Sequence, residues 1–512
     1  MVRRSTSHKR QRSMNHTNLE IGCVFTPVRS AISFFEQYNI FEQWMNGSTI
    51  FDPTMGSGNL LEALIVMGLE QGFAIIDLPT HHLFGNELNT EQYYQTLSYF
   101  REQYGLDMRE QFQNQDVFAL SRRGYDIVLS NPPWCNFTDL PAAYKSFIKP
   151  EFIELDLVSD TKELLWGGSR IDIAALVIQK IMKDFLVSKG RCYCFIPLSL
   201  FLNDGAHRSF RSYRVGAVSF SPLEIYDLDG TAVFSNIGTR HGFVVFQRDT
   251  AVEELIPYFV WKNDRWYKYR ATPLFVSDHP LSVGTEQELA VLKQTPSIEV
   301  PDFTRPRQGL NTSGCNALFF FTSCADVGDE QVCLGGSLIA PKKWVYPLMM
   351  GKNFHEEEMV PQKWVLLLHH PKTAKPLHEE EIRQYESVWT YLRQHEDTLK
   401  NRKGVMIQSM IRKGFWWALL GVGKYSFAPY KIIWEAAGKS TFRPKIINGY
   451  WQANQSLQAC MPMDTYVRAE RILKKLRAKH VEQYLLSMKM KGTQSWAQPG
   501  KIKHLLSFTS TE

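Results

Sequence analysis

The chain has 512 residues, 44% of them hydrophobic, and a net charge of +6, which predicts two or three globular domains with large cores. No uninterrupted apolar run approaches the roughly 18 to 20 residues of a membrane span, so we do not expect a membrane protein. The basic first residues lack the apolar core of a secretory signal, and residues 1–20 are predicted to form a basic disordered tail.

The eight cysteines are scattered along the chain. The nearest pair, Cys192 and Cys194, has neither a second pair nor a nearby histidine to complete a ligand set, so no metal site is expected. Free thiols are typical of a reducing cytoplasm.

Charge is distributed unevenly along the chain. Residues 401–512 contain 19 Lys and Arg against 5 Asp and Glu, a net charge of +14, so the remainder carries −8. This asymmetry favours a nucleic-acid partner for the C-terminal part. Much of the excess lies between Arg468 and Lys479, where a solvated helix face is the alternative interpretation.

The first predicted element is a helix that follows Phe25-Thr26-Pro27 and carries apolar residues as far as Tyr38. Thr26 is the expected N-cap and Pro27 the first helical residue, because both satisfy or remove unpaired donors at a helix start.

A glycine-rich loop follows the next predicted strand, which ends at Asp52. Gly56 and Gly58 allow the backbone to turn tightly and to approach a ligand closely. The loop lacks the Lys-Ser/Thr of a P-loop and the spacing of a dinucleotide fingerprint. Because Asp52 repels phosphate and attracts an amine, the loop favours a cofactor with an amino-acid end.

A second acid is expected at the end of the following strand, where it would bind ribose hydroxyls. Asp77 ends the apolar run 73–77 at the usual separation from the glycine loop. Glu87 ends a second run and is followed directly by an amphipathic helix from Asn89 to Tyr104. That helix is the expected βα continuation, so Glu87 is preferred and Asp77 is assigned to an insertion.

Two more predicted strands end in polar residues. Asp116 follows one of them, and its carboxylate could accept a hydrogen bond from an adenine amino group. The other strand, 125–129, leads into Asn131-Pro132-Pro133-Trp134. Residues 52, 87, 116 and 131 would therefore meet at one edge of a parallel sheet, which favours a ligand site there.

The Asn-Pro-Pro-Trp loop is the chemically richest segment. Its two prolines, Pro132 and Pro133, make the backbone rigid and extended. The Asn131 side chain and the Pro132 carbonyl can accept hydrogen bonds from an amine, and Trp134 offers a flat face for stacking. Such a loop can hold an exocyclic amine on a heteroaromatic base. A turn with a buried Trp is the alternative for this segment alone.

Alternating strand and helix signals over residues 25–248 predict an α/β domain with a doubly wound sheet. Phe234 falls in a turn between the last two strands. The α/β rhythm ends beyond Pro301, and basic residues alternate with tryptophans. We therefore expect a junction over 251–300, a separate mixed α+β recognition domain over 301–460, and a basic helical segment over 461–512.

These motifs resemble those of the S-adenosylmethionine-dependent DNA adenine-N6 methyltransferases, in the order of their gamma group. Asp52-Pro53-Thr54-Met55-Gly56-Ser57-Gly58 matches the Asp-Pro-x-x-Gly-Ser-Gly motif, and residues 131–134 match the catalytic tetrapeptide with Trp as its aromatic residue. Thr26-Pro27 is similar to the first cofactor segment, and Val233-Phe234 to the segment whose aromatic packs on the target base. The resemblance covers residues 20–250.

The resemblance implies a class I methyltransferase domain at 21–250, with target recognition C-terminal to it. The implied cofactor is S-adenosylmethionine, bound by Thr26, Pro27, Asp52, Pro53, Gly56, Gly58, Glu87, Asp116, Val117 and Phe118. The implied substrate is adenine flipped out of double-stranded DNA. The resemblance makes residues 131–134 catalytic, with Trp134 and Phe234 stacking on the base, and no histidine base is required.

The resemblance also implies a cytoplasmic, nucleoid-associated enzyme that works in a restriction-modification system with a separate restriction endonuclease. Two alternatives remain open at this point. A methyltransferase acting on RNA adenine or protein glutamine has the same Asn-Pro-Pro-aromatic loop. A non-catalytic DNA-binding subunit with a vestigial cofactor site also has this layout.

Overall fold

The computed structural model of the chain describes residues 24–160, 170–203, 205–231, 233–234, 237, 239–276, 279–295, 297–351, 354, 359–435, 442–455, 457, 459–487 and 502–509. The predicted basic tail at 1–20 lies outside them. The chain divides into two compact units, one ending at Lys293 and the other beginning at Gln294.

The first unit alternates strands and helices. Its strands are β1 (Ile50–Asp52), β2 (Leu83–Asn86), β3 (Phe112–Gln113), β4 (Tyr125–Ser130), β5 (Leu186–Pro197), β6 (Arg214–Val215), β7 (Val218–Asp227), β8 (His241–Arg248), β9 (Ile256–Lys262), β10 (Arg265–Pro273) and β11 (Leu281–Gly284). Its helices are α1 (Val28–Gln37), α2 (Ile40–Met45), α3 (Asn59–Glu70), α4 (Thr90–Tyr104), α5 (Ala142–Ile148), α6 (Glu151–Glu154), α7 (Ile173–Lys180), α8 (Ser199–Leu202) and α9 (Glu286–Lys293).

The strands described in this unit form one eleven-stranded sheet in the order β11-β10-β9-β7-β8-β5-β4-β1-β2-β3, with β6 paired to β7. Strands β3, β2, β1, β4 and β5 run parallel, whereas β8 is antiparallel to both β5 and β7. Reversal of order at β1 and β4 makes the sheet doubly wound, as predicted. The carboxyl ends of β1 to β4 consequently share one edge.

Alternate residues of the central strands pack into two separate hydrophobic cores, one on each face of the sheet. Phe51 and Val128 pack on one face of the sheet, while Ile50, Ile127 and Leu129 pack on the other. Both faces are covered by helices, so the parallel strands are buried on both sides and their sequences are almost uniformly apolar.

Capping residues in the sequence determine where the helices around this sheet begin and end. Asn89 caps α4 by accepting a hydrogen bond from the Gln92 amide at 3.0 Å, and Gly105 ends the helix in the left-handed conformation with φ +74°. Asp172 caps α7 in the same way, through the Ala174 amide at 2.9 Å. Side-chain caps of this kind satisfy amides that have no partner within the helix.

The first helix corrects one prediction. Pro27 has ψ 134° and is extended, so α1 begins at Val28 and Pro27 occupies the N-cap position. Thr26 therefore does not cap the helix. Its hydroxyl instead accepts a hydrogen bond from the Asn131 side chain at 3.0 Å.

The stretch 251–300, predicted as a junction, mostly belongs to the first unit. Strands β9 and β10 form a hairpin that extends the sheet, and β11 and α9 complete it. Asn263 and Asp264 connect β9 to β10 with φ values of +48° and +55°, the conformation of a type I′ turn. An Asn-Asp pair between two aromatic-rich runs was the sequence signal for this hairpin.

The second unit contains several small sheets with helices between them. Its strands are β12 (Ile298–Pro301), β13 (Phe320–Phe321), β14 (Cys324–Gly328), β15 (Gln331–Leu334), β16 (Leu338–Pro341), β17 (Val345–Met349), β18 (Trp364–Leu366), β19 (Tyr430–Trp434), β20 (Lys445–Asn448), β21 (Gln452–Ala453), β22 (Ala459–Met463) and β23 (Leu506–Thr509). Its helices are α10 (Asn316–Phe319), α11 (Glu379–Arg383), α12 (Glu386–Gln394), α13 (Glu396–Lys400), α14 (Val405–Arg412), α15 (Tyr466–Leu476) and α16 (Lys479–Ser487).

Tryptophans of the second unit are mainly structural. Trp344, Trp416, Trp417 and Trp434 are buried, so they stabilise cores rather than form an exposed aromatic surface. The buried Arg402 guanidinium donates to the carbonyl oxygens of Thr312, Trp416 and Ala418 and joins these segments. Among the helices that the structure describes, none is long and apolar enough to cross a bilayer.

Candidate functional site at the strand ends

The glycine loop lies between β1 and α3. Asp52, at the end of β1, is 1% exposed, and its carboxylate accepts a hydrogen bond from the Thr54 amide at 3.1 Å. Gly56 and Gly58 have φ values of +54° and +77°, a conformation that L side chains rarely adopt. A Cβ on Gly58 would lie 2.7 Å from the Phe100 ring. Both glycines are thus required by the local backbone and packing.

Glu87 directly follows β2 and reaches the glycine loop. One carboxylate oxygen accepts a hydrogen bond from the Gly56 amide at 2.9 Å, and the other accepts from the Asn89 amide at 2.7 Å. Asp77 instead lies in an exposed 3-10 turn formed by Ile75–Asp77. The geometry therefore favours Glu87 over Asp77 as the acid of this edge.

The pKa values of two carboxyl groups, those of the buried Asp52 and the half-buried Glu87, are shifted. Burial raises the pKa of Asp52 well above its usual range, and the nearby Glu87 charge raises it further, against the lowering effect of the Thr54 amide. Burial likewise raises the pKa of Glu87, opposed by the amides of Asn89, Gly56 and Leu88. A cationic group bound here would relieve the mutual repulsion of these two acids.

Asp116 follows β3 in a loop. Its carboxylate accepts hydrogen bonds from the Phe118 amide at 2.9 Å and from the Tyr144 hydroxyl at 2.8 Å. Val117 and Phe118 are both 7% exposed and pack in the core next to this loop. Of the three predicted residues, only Asp116 therefore presents a polar side chain at this end of the site.

Hydrogen bonds tie the strand ends together. The Asn86 side-chain amide donates to the Pro53 carbonyl at 3.0 Å and to the Gln115 carbonyl at 3.1 Å. The hydroxyls of Thr54 and Ser130 lie 3.2 Å apart. The ends of β1, β2, β3 and β4 consequently form one connected polar edge, as the sequence predicted for residues 52, 87, 116 and 131.

Asn131 is oriented by the segment before α1. Its side-chain nitrogen donates to the Val24 carbonyl at 2.7 Å and to the Thr26 hydroxyl at 3.0 Å. A backbone carbonyl only accepts, so the nitrogen must face Val24 and the side-chain oxygen must face away. That oxygen is buried and has no hydrogen-bond partner among the described residues. An unpaired buried acceptor is costly, which points to a donor on a ligand.

Thr26 also links this loop to the glycine turn. Its carbonyl accepts a hydrogen bond from the Asn59 side chain at 2.8 Å, while its hydroxyl contacts Asn131. The Asn-Pro-Pro-Trp loop is therefore adjacent to the glycine loop.

Trp134 lies in an aromatic cluster. Its indole nitrogen donates to the Phe195 carbonyl at 3.2 Å. The Phe234 ring packs edge-on against it, with ring centroids 5.2 Å apart. The His241 ring stacks nearly parallel to it, with centroids 5.5 Å apart and an interplanar angle of 28°. Trp134 is half-buried, and Phe234 is 7% exposed.

Several residues of this site were missed in the sequence analysis. Asn86 and the Thr96 hydroxyl, which donates to the Gly56 carbonyl at 2.9 Å, fix the glycine loop. Tyr144 and His241 contact Asp116 and Trp134 respectively. Asn86 had a sequence signal, since it directly precedes the strand-end Glu87. The other three lie far along the chain from their partners.

The residues fit the cofactor implied by the resemblance in one respect, because the carboxyl groups of Asp52 and Glu87 beside the glycine loop suit a cationic ligand. Among the described residues, no group of three or more His, Cys, Asp or Glu is arranged to hold a metal ion.

Neither a protein-family model nor a curated protein matches this sequence. Solved structures match the fold. The Type IIL restriction-modification enzyme MmeI in complex with DNA is 13% identical with a TM-score of 0.57, over 92% of this chain and 64% of that chain. This chain thus spans less than two thirds of the length of MmeI.

Two further matches have lower TM-scores. A nuclease-deletion mutant of the Type ISP restriction-modification enzyme LlaGI, in complex with a DNA substrate mimic, is 14% identical with a TM-score of 0.42, over 59% of this chain and 35% of that chain. The type I restriction-modification methyltransferase subunit from Streptococcus thermophilus is 16% identical with a TM-score of 0.31, over 48% and 52%. The chain shares its fold with MmeI. Its first unit is an α/β unit with a doubly wound sheet, and a second unit of mixed α and β structure follows it in the chain.

Proposed function

We propose that the chain is a DNA methyltransferase that transfers a methyl group from S-adenosylmethionine to N6 of an adenine flipped out of double-stranded DNA. The observation that carries the proposal is the buried Asn131 oxygen, which has no partner among the described residues and is held next to the glycine loop. Its orientation suits an exocyclic amine as donor.

In this proposal, the residues of the first unit have distinct roles. Gly56, Gly58, Asp52, Glu87 and Asp116 hold the cofactor, which supplies an electrophilic methyl group when bound. The Asn131 oxygen and the Pro132 carbonyl each accept a hydrogen bond from the amine, so that the nitrogen lone pair is directed out of the ring plane, and the nitrogen releases one proton to solvent after it is methylated. Flipping the base costs a few kcal/mol, of which stacking on Trp134 returns ~1 to 3 kcal/mol.

The second unit supplies the DNA-binding surface in this proposal, and the basic helices α15 and α16 belong to it. The fold shared with MmeI, a restriction-modification enzyme solved in complex with DNA, supports this assignment of substrate. A role in restriction-modification beside a separate endonuclease, in the cytoplasm, follows from the same proposal.

The decisive experiment compares transfer of labelled methyl groups to DNA, RNA and protein by the full chain. We expect methylation of duplex DNA at adenine N6, identified by mass spectrometry of the nucleosides. Methylation of RNA or protein alone would overturn the DNA assignment, and no transfer to any of them would indicate a non-catalytic subunit.

Asn131→Ala is the matched variant for this assay. It removes the acceptor oxygen, and we expect turnover to fall at least ~1000-fold, since an interaction made in the transition state is lost. Calorimetry should show cofactor affinity within about threefold of wild type. An active Asn131→Ala enzyme would contradict the assigned role.

A further inference from the structure

His241 begins β8 and lies at the aromatic end of the site. Strand β8 pairs with β5 so that His241 is opposite Pro197, beyond the Phe195 carbonyl that Trp134 contacts. The imidazole stacks on the Trp134 indole with an interplanar angle of 28°, and it lies nearly perpendicular to the Phe234 ring, with ring centroids 5.0 Å apart. At 6% exposure, the imidazole is an interior part of this cluster.

The hydrogen bonding of His241 fixes its tautomer. Its Nδ1 lies 2.9 Å from the Thr239 carbonyl oxygen. That oxygen only accepts, so Nδ1 carries the proton and a neutral ring leaves Nε2 bare. Nε2 is buried and has no hydrogen-bond partner in the described part of the chain. A second proton, on Nε2, would therefore be a buried donor without an acceptor there.

The charges around His241 act in both directions. Burial lowers the pKa of His241, while the Thr239 carbonyl and the carboxylates of Asp227 and Asp229 raise it. The Asp227 carboxylate is already paired with Arg240 and accepts a hydrogen bond from the Tyr258 hydroxyl at 3.1 Å. Burial prevails, so the imidazole is neutral at neutral pH.

We infer that His241 is a positioning residue for Trp134: the neutral imidazole, anchored on Thr239, sets the plane of the indole on which the target base stacks. This inference rests on the proposed function of Trp134 and extends it. The indole nitrogen is held by the Phe195 carbonyl and the Phe234 ring lies nearly perpendicular to the indole, whereas His241 supports it from a nearly parallel plane.

Protonation removes this support. A charged imidazole with a proton on Nε2 must move toward water or toward another acceptor, and the parallel contact with Trp134 is lost. The stacking plane is thus maintained above the pKa of His241 and is released as the pH falls through it. The loss of base stacking at low pH should therefore follow the protonation of His241, and not the protonation of any group in the cofactor site.

The test is a pH titration of the full chain labelled with 5-fluorotryptophan, followed by ¹⁹F NMR. Trp134→Phe assigns the Trp134 signal among the 13 tryptophans. We expect this signal to shift with a midpoint below the ordinary histidine value of about 6.5. A Trp134 signal that stays constant over the whole range overturns the inference, and this measurement needs no substitution at position 241.

Two substitutions sharpen the test. His241→Phe keeps a flat ring beside the indole but cannot be protonated, so the acid transition of the Trp134 signal should disappear. His369→Phe, which replaces another buried histidine, in the second unit, should leave the transition in place. Persistence of the transition in His241→Phe overturns the inference.

Base stacking is read separately from catalysis, with 2-aminopurine at the target position of a DNA duplex. His241→Ala should lose roughly tenfold in stacking of this base, the scale of one aromatic pair, with cofactor affinity unchanged. A Trp134 signal indifferent to pH in an enzyme that methylates DNA refutes the inference alone. A coupled Trp134 signal in a chain that methylates no DNA supports the coupling and refutes the proposed function alone.

Discussion

The side chains of Thr26 and Asn131 form the smallest unit of the candidate site. The Thr26 hydroxyl and the Val24 carbonyl use both amide protons of Asn131, and this leaves one oxygen aimed elsewhere. The direction of a single acceptor therefore depends on two residues more than 100 positions earlier in the chain. Thr26 matters here through its hydroxyl, and a helix cap is not its role.

Thr26→Val should lower kcat about tenfold while the fold and cofactor affinity remain. The substitution keeps the shape of the side chain but removes one hydrogen bond to Asn131, worth about 0.5 to 1.5 kcal/mol. Steady-state methylation kinetics measure the loss. Thr26→Ser restores the hydroxyl and should recover most of the activity; equal defects in Val and Ser variants would contradict this explanation.

The buried Asp52 and the half-buried Glu87 predict a pH dependence of cofactor binding. Burial raises the pKa of both groups, so their ionised forms are disfavoured in the free protein. The stability they contribute is present at low pH and is lost as the pH rises through their folded-state pKa values. A cationic ligand favours the ionised forms, so its binding should strengthen with rising pH and release protons.

Calorimetry of S-adenosylmethionine binding between about pH 5 and 8, in buffers of different ionisation heat, measures both effects. S-adenosylhomocysteine lacks the sulfonium charge and should show the weaker pH dependence. Identical pH profiles for the two ligands would contradict the role of the two acids in binding the sulfonium charge.

At the scale of elements, the loop between β1 and α3 shows how packing makes a glycine indispensable. Gly58 precedes α3 with φ +77°, and the Phe100 ring of α4 leaves no space for a Cβ. The Thr96 hydroxyl of the same helix holds the Gly56 carbonyl. Helix α4 therefore shapes a loop that comes well before it in the chain.

Gly58→Ala should destabilise the first unit by about 2 to 5 kcal/mol, combining about 1 to 2 kcal/mol for the left-handed conformation with about 1 to 3 kcal/mol for overpacking. Gly105→Ala is the matched control. That glycine also has a positive φ, +74°, but a Cβ added there would meet nothing within 4 Å. Urea unfolding compares the two, and equal losses would show that contact with Phe100 is unimportant.

At the scale of the whole molecule, positive charge is concentrated at the C-terminal end, and α15 displays part of it. Arg471, Lys474 and Lys475 are exposed on this helix, while Ala469, Ile472, Leu473 and Leu476 are buried. The amphipathic pattern places the cations in solvent. Such a surface suits the phosphate backbone of a nucleic acid.

Lys474→Ala combined with Lys475→Ala should weaken DNA binding equally for all sequences. Each lost phosphate contact lowers the slope of log affinity against log salt by about 0.9. Titrations at several salt concentrations measure the slope. The double substitution Lys372→Ala and Lys375→Ala, at two exposed lysines of the same unit, should leave the slope unchanged. Equal effects of both pairs would mean that α15 has no special role.

The sequence by itself determined the parallel sheet and the identity of the residues at its strand ends. Strands β1, β2 and β4 are short apolar runs ending in Asp52, Asn86-Glu87 and Asn131, and those signals are local. The choice of Glu87 over Asp77 also came from a local feature, the helix that directly follows it. Adenine as substrate depends on the resemblance alone and stays a prediction.

Tertiary structure decided the contacts between residues distant in the chain. The hydroxyl of Thr26 on Asn131, the ring of Phe100 above Gly58 and the imidazole of His241 against Trp134 depend on how separate elements pack. The hairpin at Asn263-Asp264 joins the main sheet because β9 pairs with the edge of β7. Local propensity carries no information on such pairings, since their energy arises only when the folded chain brings the partners together.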